Sequence, residues 1–418
     1  MNKINKVMYA GFVAGMTLAA SSAGAADVEV LHWWTSGGEA KAAAELKKMV
    51  EAKGNTWKDF AVAGGGGENA MTVLKSRVIS GNPPAAAQIK GPSIQEWGTE
   101  GVLSNVDDVA KGGGWDKLLL PVVAKTMKYD GHYVAVPVGV HRVNWMWANP
   151  EVFKKAGASV PQTWDEFVVA ADKIEKAGFI AVAHGGQPWQ DFTVFESVAL
   201  GVGGAEFYRK AMVELDQASL KSPTMEKIFA TVATVRKYID KDSPNRNWNQ
   251  ATGMVINGKA AMQFMGDWAK GEFSAAGKVP GKDYLCVPAP GTANAFTYNI
   301  DSLVFFENGS KQVAKGQRDL AEAVMSPAFQ EGFNLAKGSI PPRLGMDMSK
   351  FDDCAKRSSQ DFMNSSKSSS LVPSIAHQMA VTAATAGAMQ DVVTEFFNSS
   401  SMTPKQATEK LAGAALTN

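Results

Sequence analysis

The chain has 418 residues and a mass of 44.4 kDa, which is too long for one ordinary domain and suits two. Hydrophobic residues make up 45% and charged residues 20%, so each domain can bury a core, and a disordered, collagen-like or disulfide-scaffold protein is excluded. The 42 Lys+Arg residues balance the 41 Asp+Glu residues, which does not fit the basic surface of a nucleic-acid-binding protein.

The N-terminus has the layout of a secretory signal peptide. Lys3 and Lys6 give a positive start, an apolar stretch runs from about residue 7 to residue 20, and Ala23-Gly24-Ala25 offers a small-residue cleavage site. The apolar stretch is too short for a membrane-spanning helix, and the alternative is an apolar first helix. The sequence therefore predicts a signal peptide over residues 1–25 and a soluble, exported product.

The mature chain opens with alternating strands and helices. Val28–Trp34 is an apolar run typical of a strand, and after the turn Thr35–Gly38 the residues Glu39–Ala52 predict a helix. The same alternation continues with strands over 57–63 and 83–89 and a helix over 70–80. It favours an α/β domain with a mainly parallel sheet.

The middle of the chain begins with a further apolar strand, Tyr133–Val140. A helix is predicted from Thr163, whose side chain can cap it while Glu166 reaches back three residues later. Helices then dominate to about residue 239, and Met254–Phe264 predicts a helix followed by a strand.

Towards the C-terminus, Ser358–Ser370 is serine-rich and predicts a surface loop, and Thr403-Pro404 begins a last helix. The two cysteines, Cys286 and Cys354, could form one disulfide in an oxidising compartment or stay free, because their separation in sequence does not decide the matter. We expect no role for them in the chemistry of the protein.

Motifs for catalysis, metals and cofactors are weak. Gly64–Gly67 lacks the Gly-Lys-Ser/Thr ending of a phosphate loop and predicts a flexible or close-approach turn. The histidines show no metal-ligand spacing, and no serine sits in a nucleophile elbow. We therefore expect no metal and no cofactor. A glycoside hydrolase remains an alternative, with Glu39, Asp267 and Asp301 as candidate carboxylates.

Aromatic and charged residues recur where predicted strands end. Trp33-Trp34 and then Glu39 follow the first strand, Lys90 follows a short strand, and Trp268 follows the strand that ends near Phe264. Ligands of open α/β sheets lie beyond the carboxyl ends of strands. An indole there can stack on a pyranose ring, and a carboxylate can accept its hydroxyl protons. The alternative is core aromatics and a solvated lysine.

These segments make the chain resemble the extracellular solute-binding proteins of carbohydrate ABC importers. The similarity is carried by Trp33–Glu39, Tyr133–Pro137, Pro161–Phe167 and Asn257–Trp268, and it covers essentially the whole mature chain. The double tryptophan, Lys90 and the Lys-Gly-Ser-Ile-Pro-Pro-Arg segment from Lys337 resemble the glucose-binding (glucose/mannose-type) branch of Gram-negative bacteria.

The resemblance implies a two-lobed α/β fold of the periplasmic-binding-protein type II (Venus-flytrap) class, with three crossings between the lobes. It implies an N-terminal lobe of residues 26–138 plus 291–342 and a C-terminal lobe of residues 139–290 plus 343–418. We place the crossings near Val138, Pro290 and Pro342.

The resemblance also implies eight sugar-binding residues, namely Trp33, Trp34, Glu39, Lys90, Trp268, Asp301, Lys337 and His377. Gln250, Asn299 and His141 are weaker candidates. Because a lone buried charge is costly, we expect Glu39 or Asp301 to neighbour Lys90 or Lys337.

The function implied is binding without catalysis. The protein would be a monomeric periplasmic receptor that binds D-glucose and delivers it to an inner-membrane ABC permease, with no nucleic-acid partner. A disaccharide or polyol bound by the same fold is the alternative within the family, and sequence does not separate glucose from mannose or galactose.

Overall fold

The computed structural model describes residues 25–417, so the predicted signal peptide, apart from Ala25, lies outside the described residues. Within this range the chain forms two main β-sheets, each flanked by helices. The strands are β1 Asp27–His32, β2 Thr56–Ala61, β3 Ala86–Ile89, β4 Lys128–Tyr129, β5 His132–Tyr133, β6 Ala135–Arg142, β7 Trp145–Ala148, β8 Ile180–Val182, β9 Ala260–Phe264, β10 Leu285–Pro288, β11 Phe296–Phe305 and β12 Leu371–Pro373.

The α-helices alternate with these strands through most of the chain. They are α1 Gly37–Ala52, α2 Glu68–Ile79, α3 Ser93–Thr99, α4 Asp107–Gly112, α5 Trp115–Leu118, α6 Pro121–Thr126, α7 Pro150–Lys155, α8 Trp164–Lys176, α9 Pro188–Tyr208, α10 Gln217–Leu220, α11 Pro223–Lys237, α12 Trp248–Ile256, α13 Ala269–Ala275, α14 Lys311–Val324, α15 Pro327–Lys337, α16 Asp353–Lys367, α17 Ala383–Asn398 and α18 Pro404–Ala414. In the part of the chain that the structure describes, we find no helix with both the length and the apolar character needed to cross a membrane.

The first sheet has six strands in the order β12-β11-β3-β1-β2, and β6 also pairs with β11. Strands β1, β2 and β3 are parallel, so β1 and β3 end at the same edge. Strand β11 is antiparallel to β3, and Ser302 pairs with Ile89. Asp301 precedes Ser302 in β11, and Lys90 follows Ile89 in β3. Because these strands are antiparallel, Asp301 and Lys90 are neighbours at this edge. Two residues far apart in sequence are brought together by strand register alone.

The second sheet has four strands in the order β10-β7-β9-β8. Each sheet has its own apolar core. One contains side chains such as Leu31, Val136 and Phe305, and the other contains side chains such as Phe167, Phe195 and Phe264. The prediction of a two-lobed α/β fold is confirmed by this architecture and by the structural relatives reported below.

The chain passes from the first sheet to the second between β6 and β7, because β6 continues to Arg142, beyond the predicted crossing near Val138. It returns between β10 and β11, in the segment that contains Pro290. Further on, Ile340 bridges to Val140, while Phe351 and Phe362 pack into the first core. The segment from Ile340 onward thus contributes side chains to both cores. The predicted lobe boundaries stay a prediction.

The serine-rich segment Ser358–Ser370 is not the surface loop that its composition predicted. Most of it belongs to α16, which Asp352 caps by accepting a hydrogen bond from the backbone N–H of Ala355. Ala355 and Phe362 fix one face of this helix against the first core, and burial overrides the weak helix propensity of serine. The helix also carries Cys354, which forms a disulfide with Cys286 of β10.

Candidate functional site

A cavity of about 320 Å³ is lined by residues that follow strands of both sheets. The structure brings all eight predicted site residues to this cavity, namely Trp33, Trp34, Glu39, Lys90, Trp268, Asp301, Lys337 and His377. We call Glu39, Lys90, Asp301 and Lys337 the charged wall, and Trp189, Trp268 and His377 the aromatic wall.

Glu39 and Lys337 form a buried ion pair in the charged wall. The Lys337 Nζ lies 2.8 Å from the Glu39 Oε1, although the residues are 298 positions apart. The second oxygen of Glu39 accepts the backbone N–H groups of Thr35 and Ser36, each at 3.2 Å, at the start of α1. The same glutamate therefore caps the helix and pairs with the lysine. The expectation that a carboxylate and a lysine of this set are neighbours is confirmed.

Asp301 lies in β11 and is surrounded by donors. Its Oδ2 accepts from the indole N–H of Trp34 at 3.3 Å and lies 3.2 Å from the Nε2 of His141, and its Oδ1 accepts from the side-chain amide of Asn299 at 3.3 Å. Burial alone would raise the pKa of Asp301, but His141 and the two lysines of the charged wall outweigh it and hold the pKa well below the usual range. Asp301 is therefore an anion in the cavity.

Lys90 completes the charged wall beside Asp301. Its Nζ lies 5.1 Å from the ring centroid of Trp33, within cation–π range. Burial and the neighbouring Lys337 lower its pKa, whereas Asp301 and Glu39 oppose that shift. Trp33 is half-buried and presents its ring to the cavity, but Trp34 is only 2% exposed and packs edge-on against Phe333. Trp34 thus belongs to the core and reaches the cavity through its bond to Asp301.

The aromatic wall is built from α9 and from the loops after β9 and β12. The ring of His377 meets Trp268 edge-to-face at 4.6 Å and Trp189 at 5.6 Å. Burial, followed by the charges of Lys90 and His141, lowers the pKa of His377 well below its ordinary value. His377 is therefore a neutral imidazole, which can both donate and accept a hydrogen bond.

The glycine run forms a close-approach turn at the cavity, as the sequence predicted. A Cβ on Gly66 would come within 3.2 Å of the Trp189 ring, and one on Gly67 within 2.9 Å of the Trp33 ring. Both glycines have positive φ, which favours residues without a side chain. The turn therefore packs against two indoles, Trp33 and Trp189, which line the cavity from the sides of the two different sheets.

Several lining residues, above all Trp189 and Trp248, were not predicted from the sequence. Trp189 follows β8, so the rule that ligands lie beyond strand ends would have identified it had this three-residue strand been recognised. Of the weaker candidates, Asn299 lines the cavity and His141 contacts Asp301. Gln250 does not line the cavity, because its side chain accepts the backbone N–H of Asn247 at the start of α12.

The carboxylates of the cavity do not resemble those of a glycoside hydrolase. Such an enzyme needs a carboxylic acid that stays protonated, which requires a raised pKa. Here the pKa of Asp301 is lowered and Glu39 is paired with a lysine. Over residues 25–417 we find no cluster of three or more His, Cys, Asp or Glu side chains that could hold a metal ion.

Comparison with known proteins gives consistent results. Residues 36–331 match the bacterial extracellular solute-binding protein family. A protein of Rhizobium meliloti named "probable sugar-binding periplasmic protein" is 46% identical over 98% of this chain and 99% of its own length. One of Brucella suis with the same name is 44% identical over 99% of each chain.

Among solved structures, the fold is similar to that of the bacterial solute receptor AcbH, described as having an exclusive preference for β-D-galactopyranose. The TM-score is 0.79 at 19% sequence identity, over 94% of this chain and 99% of that one. At this identity the likeness concerns the fold.

Proposed function

Since this chain belongs to the bacterial extracellular solute-binding protein family, we propose that it is the periplasmic receptor for D-glucose in an ABC importer. It is the sugar-binding component of such an importer, and its protein partner is the membrane permease. Proteins of this kind carry their ligand unchanged, so the protein is not an enzyme.

The observation that carries the glucose proposal is the small, mutually neutralised cavity. Its volume of about 320 Å³ is at the lower end of the usual range for ligand pockets, which favours one sugar ring over two. The ion pair of Glu39 and Lys337, together with the contact of Asp301 with His141 and its position near Lys90, leaves no large uncompensated charge for a neutral ligand to meet. The same groups offer charge-assisted hydrogen bonds to sugar hydroxyls.

In this proposal all eight predicted residues contact the sugar or border it. Trp33 and Trp268 pack on the ring, and the charged wall and His377 bind the hydroxyls. We keep the lobes near the predicted ranges, residues 26–138 plus 291–342 and 139–290 plus 343–418, with the first crossing moved to the end of β6 at Arg142, and propose that they close on the sugar by a hinge movement. Export through the signal peptide and a monomeric state stay predictions.

The expected affinity follows from the size of the ligand. A hexose has about twelve heavy atoms, and roughly 0.7–1 kcal/mol per atom gives a binding free energy of about −8 to −12 kcal/mol. This corresponds to a dissociation constant between micromolar and nanomolar.

The test is calorimetric titration of the mature chain with D-glucose, and with mannose, galactose, maltose, trehalose and sorbitol for comparison. One-to-one glucose binding at micromolar affinity or tighter, unmatched by the others, is the expected result. Heat with another sugar alone would overturn the glucose proposal, and silence with all of them would overturn the proposal of a sugar receptor of these kinds.

A pair of variants tests whether this cavity is the site. Trp33→Ala should weaken sugar binding at least tenfold with the fold intact, because it removes both the ring face and the partner of Lys90. Trp57→Ala, a tryptophan of β2 that does not line the cavity, should bind as the wild type does. Equal affinities of the two variants would remove Trp33 from the site.

A further inference from the structure

His141 lies between two carboxylates, Asp301 of the charged wall and Asp267, which directly precedes Trp268 of the aromatic wall. Its Nδ1 is 2.5 Å from the Oδ1 of Asp267, and its Nε2 is 3.2 Å from the Oδ2 of Asp301. The imidazole has no exposed surface. A ring nitrogen can bond to a carboxylate oxygen only by donating, so a neutral histidine satisfies one of these contacts and a doubly protonated one satisfies both.

The balance of charges around the cavity also favours a doubly protonated His141. Glu39, Asp267 and Asp301 supply three carboxylates, whereas Lys90 and Lys337 supply two ammonium groups. A doubly protonated His141 makes this buried cluster neutral overall. A neutral ligand cannot offset a net charge when it is enclosed, and an uncompensated buried charge is costly.

Both carboxylates that contact His141 connect to residues of the proposed site. Asp301 is itself in the charged wall. Asp267 directly precedes Trp268 of the aromatic wall, and its Oδ2 accepts the backbone N–H of Arg142 at 2.9 Å. The ring of His141 also meets that of Trp268 edge-to-face at 5.4 Å. One imidazole therefore fixes a hydrogen-bonding residue and an indole at the same time.

We propose that His141 is a positioning residue of the sugar site, which acts in its doubly protonated form as the third cation of the cavity and holds Asp301 and the Asp267–Trp268 segment in place. This inference rests on the proposed function, since it concerns the same cavity. His141 acts through these neighbours and not by contact with the sugar.

The groups that face His141 determine the pH dependence. Burial alone disfavours the imidazolium, but Asp267 and Asp301 outweigh it and raise the pKa of His141. The neutral His377 adds no charge, and the guanidinium of Arg142 is directed to Asp361 at 2.6 Å. The lysines of the charged wall act on Asp301, whose pKa they lower. Because the pKa of His141 is raised, its second proton is held to a higher pH than that of an ordinary histidine and is lost as the pH rises beyond that point.

The chain offers a matched control in His184. This histidine is also buried and pairs with one carboxylate, Asp191, at 2.7 Å, but it packs against Phe397 in the other core and does not line the cavity. His141→Gln and His184→Gln thus each remove a buried His–Asp pair, and only the first reaches Asp301.

The experiment has two independent readouts on the mature, full-length chain. The first is the ring-nitrogen NMR signal of His141 in the sugar-free protein from about pH 6 to about pH 9, with assignment by comparison with His141→Gln. Two protonated nitrogens at neutral pH are expected. A neutral ring at neutral pH would overturn the inference, and it would leave the proposed function untouched.

The second readout is glucose affinity over the same pH range. We expect wild-type affinity to be constant while His141 is charged and to fall about tenfold or more once its proton is lost. His141→Gln should bind at least tenfold more weakly at neutral pH and lose this pH dependence, whereas His184→Gln should keep both. Wild-type affinity that does not change when the ring loses its proton would overturn the inference. If the wild type binds no sugar at any pH, the proposed function fails, and the NMR result still decides the protonation of His141.

Discussion

Two buried carboxyl groups support the two walls of the cavity, and their pKa values are shifted in opposite directions. Asp301 in the charged wall is 3% exposed, and Glu196 behind the aromatic wall has no exposed surface. The pKa of Asp301 is held well below its usual range, because His141, Lys90 and Lys337 outweigh the effect of burial.

Glu196 belongs to α9 and anchors the loop that carries His377. It accepts hydrogen bonds from the Ser374 hydroxyl at 2.6 Å, from the backbone N–H groups of Ile375 and Ala376 at 3.0 and 3.3 Å, and from the Tyr208 hydroxyl at 3.0 Å. Among the residues described, all of these partners are uncharged. Burial therefore dominates, although the hydrogen bonds oppose it, and raises the pKa of Glu196 to about 7.

The difference shows that, at nearly equal burial, neighbouring ions lower the pKa of a carboxyl group, whereas hydrogen bonds from uncharged partners do not outweigh the effect of burial. In the charged wall, each ion depends on an ion of the opposite sign, so removal of one partner should be severe at any pH. Behind the aromatic wall the carboxyl group is held by dipoles, so its contribution should depend on pH instead.

Lys337→Met should have the largest effect, because it leaves Glu39 buried without its partner. Breaking a buried pair in this way costs about 3–5 kcal/mol of folding free energy. We expect urea unfolding to show this loss and calorimetry to show at least a hundredfold weaker glucose binding. Lys210→Met, which breaks the exposed pair with Glu206 on α9, is the control and should leave both measurements unchanged.

A second variant separates the loss of stability from the loss of binding. Glu39→Gln combined with Lys337→Met removes both charges and should recover much of the folding free energy, but not the affinity for glucose. If the double variant is no more stable than Lys337→Met alone, the stranded charge is not the cause, and the view of the charged wall as a set of interdependent ions is wrong.

Glu196→Gln should change how stability depends on pH. The pKa of Glu196 rises from 4.5 to about 7 on folding, so its favourable contribution is present below about pH 4.5 and is lost as the pH rises through about 7. That shift corresponds to about 3 kcal/mol. Relative to the wild type, the glutamine variant should therefore gain stability as the pH rises from about 4.5 to about 7 in urea unfolding. Glu206→Gln, exposed on the same helix, is the control, and an equal pH profile for both would contradict the prediction.

Trp268→Leu tests the aromatic wall directly. The variant removes the edge-to-face contact with His377 and the indole face offered to the sugar, which together should cost about 1–2 kcal/mol of binding free energy, or about 5- to 30-fold in affinity. Trp115→Phe, a tryptophan buried in the first core against Tyr133, should lower stability without a change in affinity. Equal loss of affinity in both would mean that the aromatic wall acts only through the stability of the fold.

Much of the fold could be predicted because its signals are local. Thr163 and Thr403 cap α8 and α18 as the sequence indicated, although Glu166 reaches the backbone N–H of Gln162 and not that of Thr163. The prediction of a surface loop for the serine-rich segment was wrong, because its helix depends on the tertiary burial of residues such as Phe362, which composition does not reveal.

The site could be predicted only in part. The rule of strand ends identified the region around Trp33 and Lys90, whereas Lys337 was included only through the family resemblance. That Glu39 or Asp301 would neighbour Lys90 or Lys337 followed from the cost of a lone buried charge, but which residues pair was left open, since the pair of Glu39 and Lys337 spans most of the chain. No sequence pattern indicates the partners of Glu196, which depend on how a loop packs against a helix. Supporting residues of this kind have no regular spacing in the sequence from which they could be predicted.

The smallest expected effect concerns Thr193, which lies one turn after Trp189 on α9. Its hydroxyl proton goes to the backbone carbonyl of Trp189 at 2.8 Å, so in its 3.4 Å contact with the Nε2 of His377 the oxygen acts as acceptor. The neutral His377 therefore carries its proton on Nε2, which leaves Nδ1 as the acceptor that the proposed site would offer to a sugar hydroxyl. Thr193→Val should release this tautomer and cost about 0.5–1.5 kcal/mol of binding, whereas Thr193→Ser should bind as the wild type does. Ring-nitrogen NMR of His377 in both variants checks the tautomer. An unchanged tautomer in Thr193→Val would show that the aromatic wall orients His377 through its ring contacts alone.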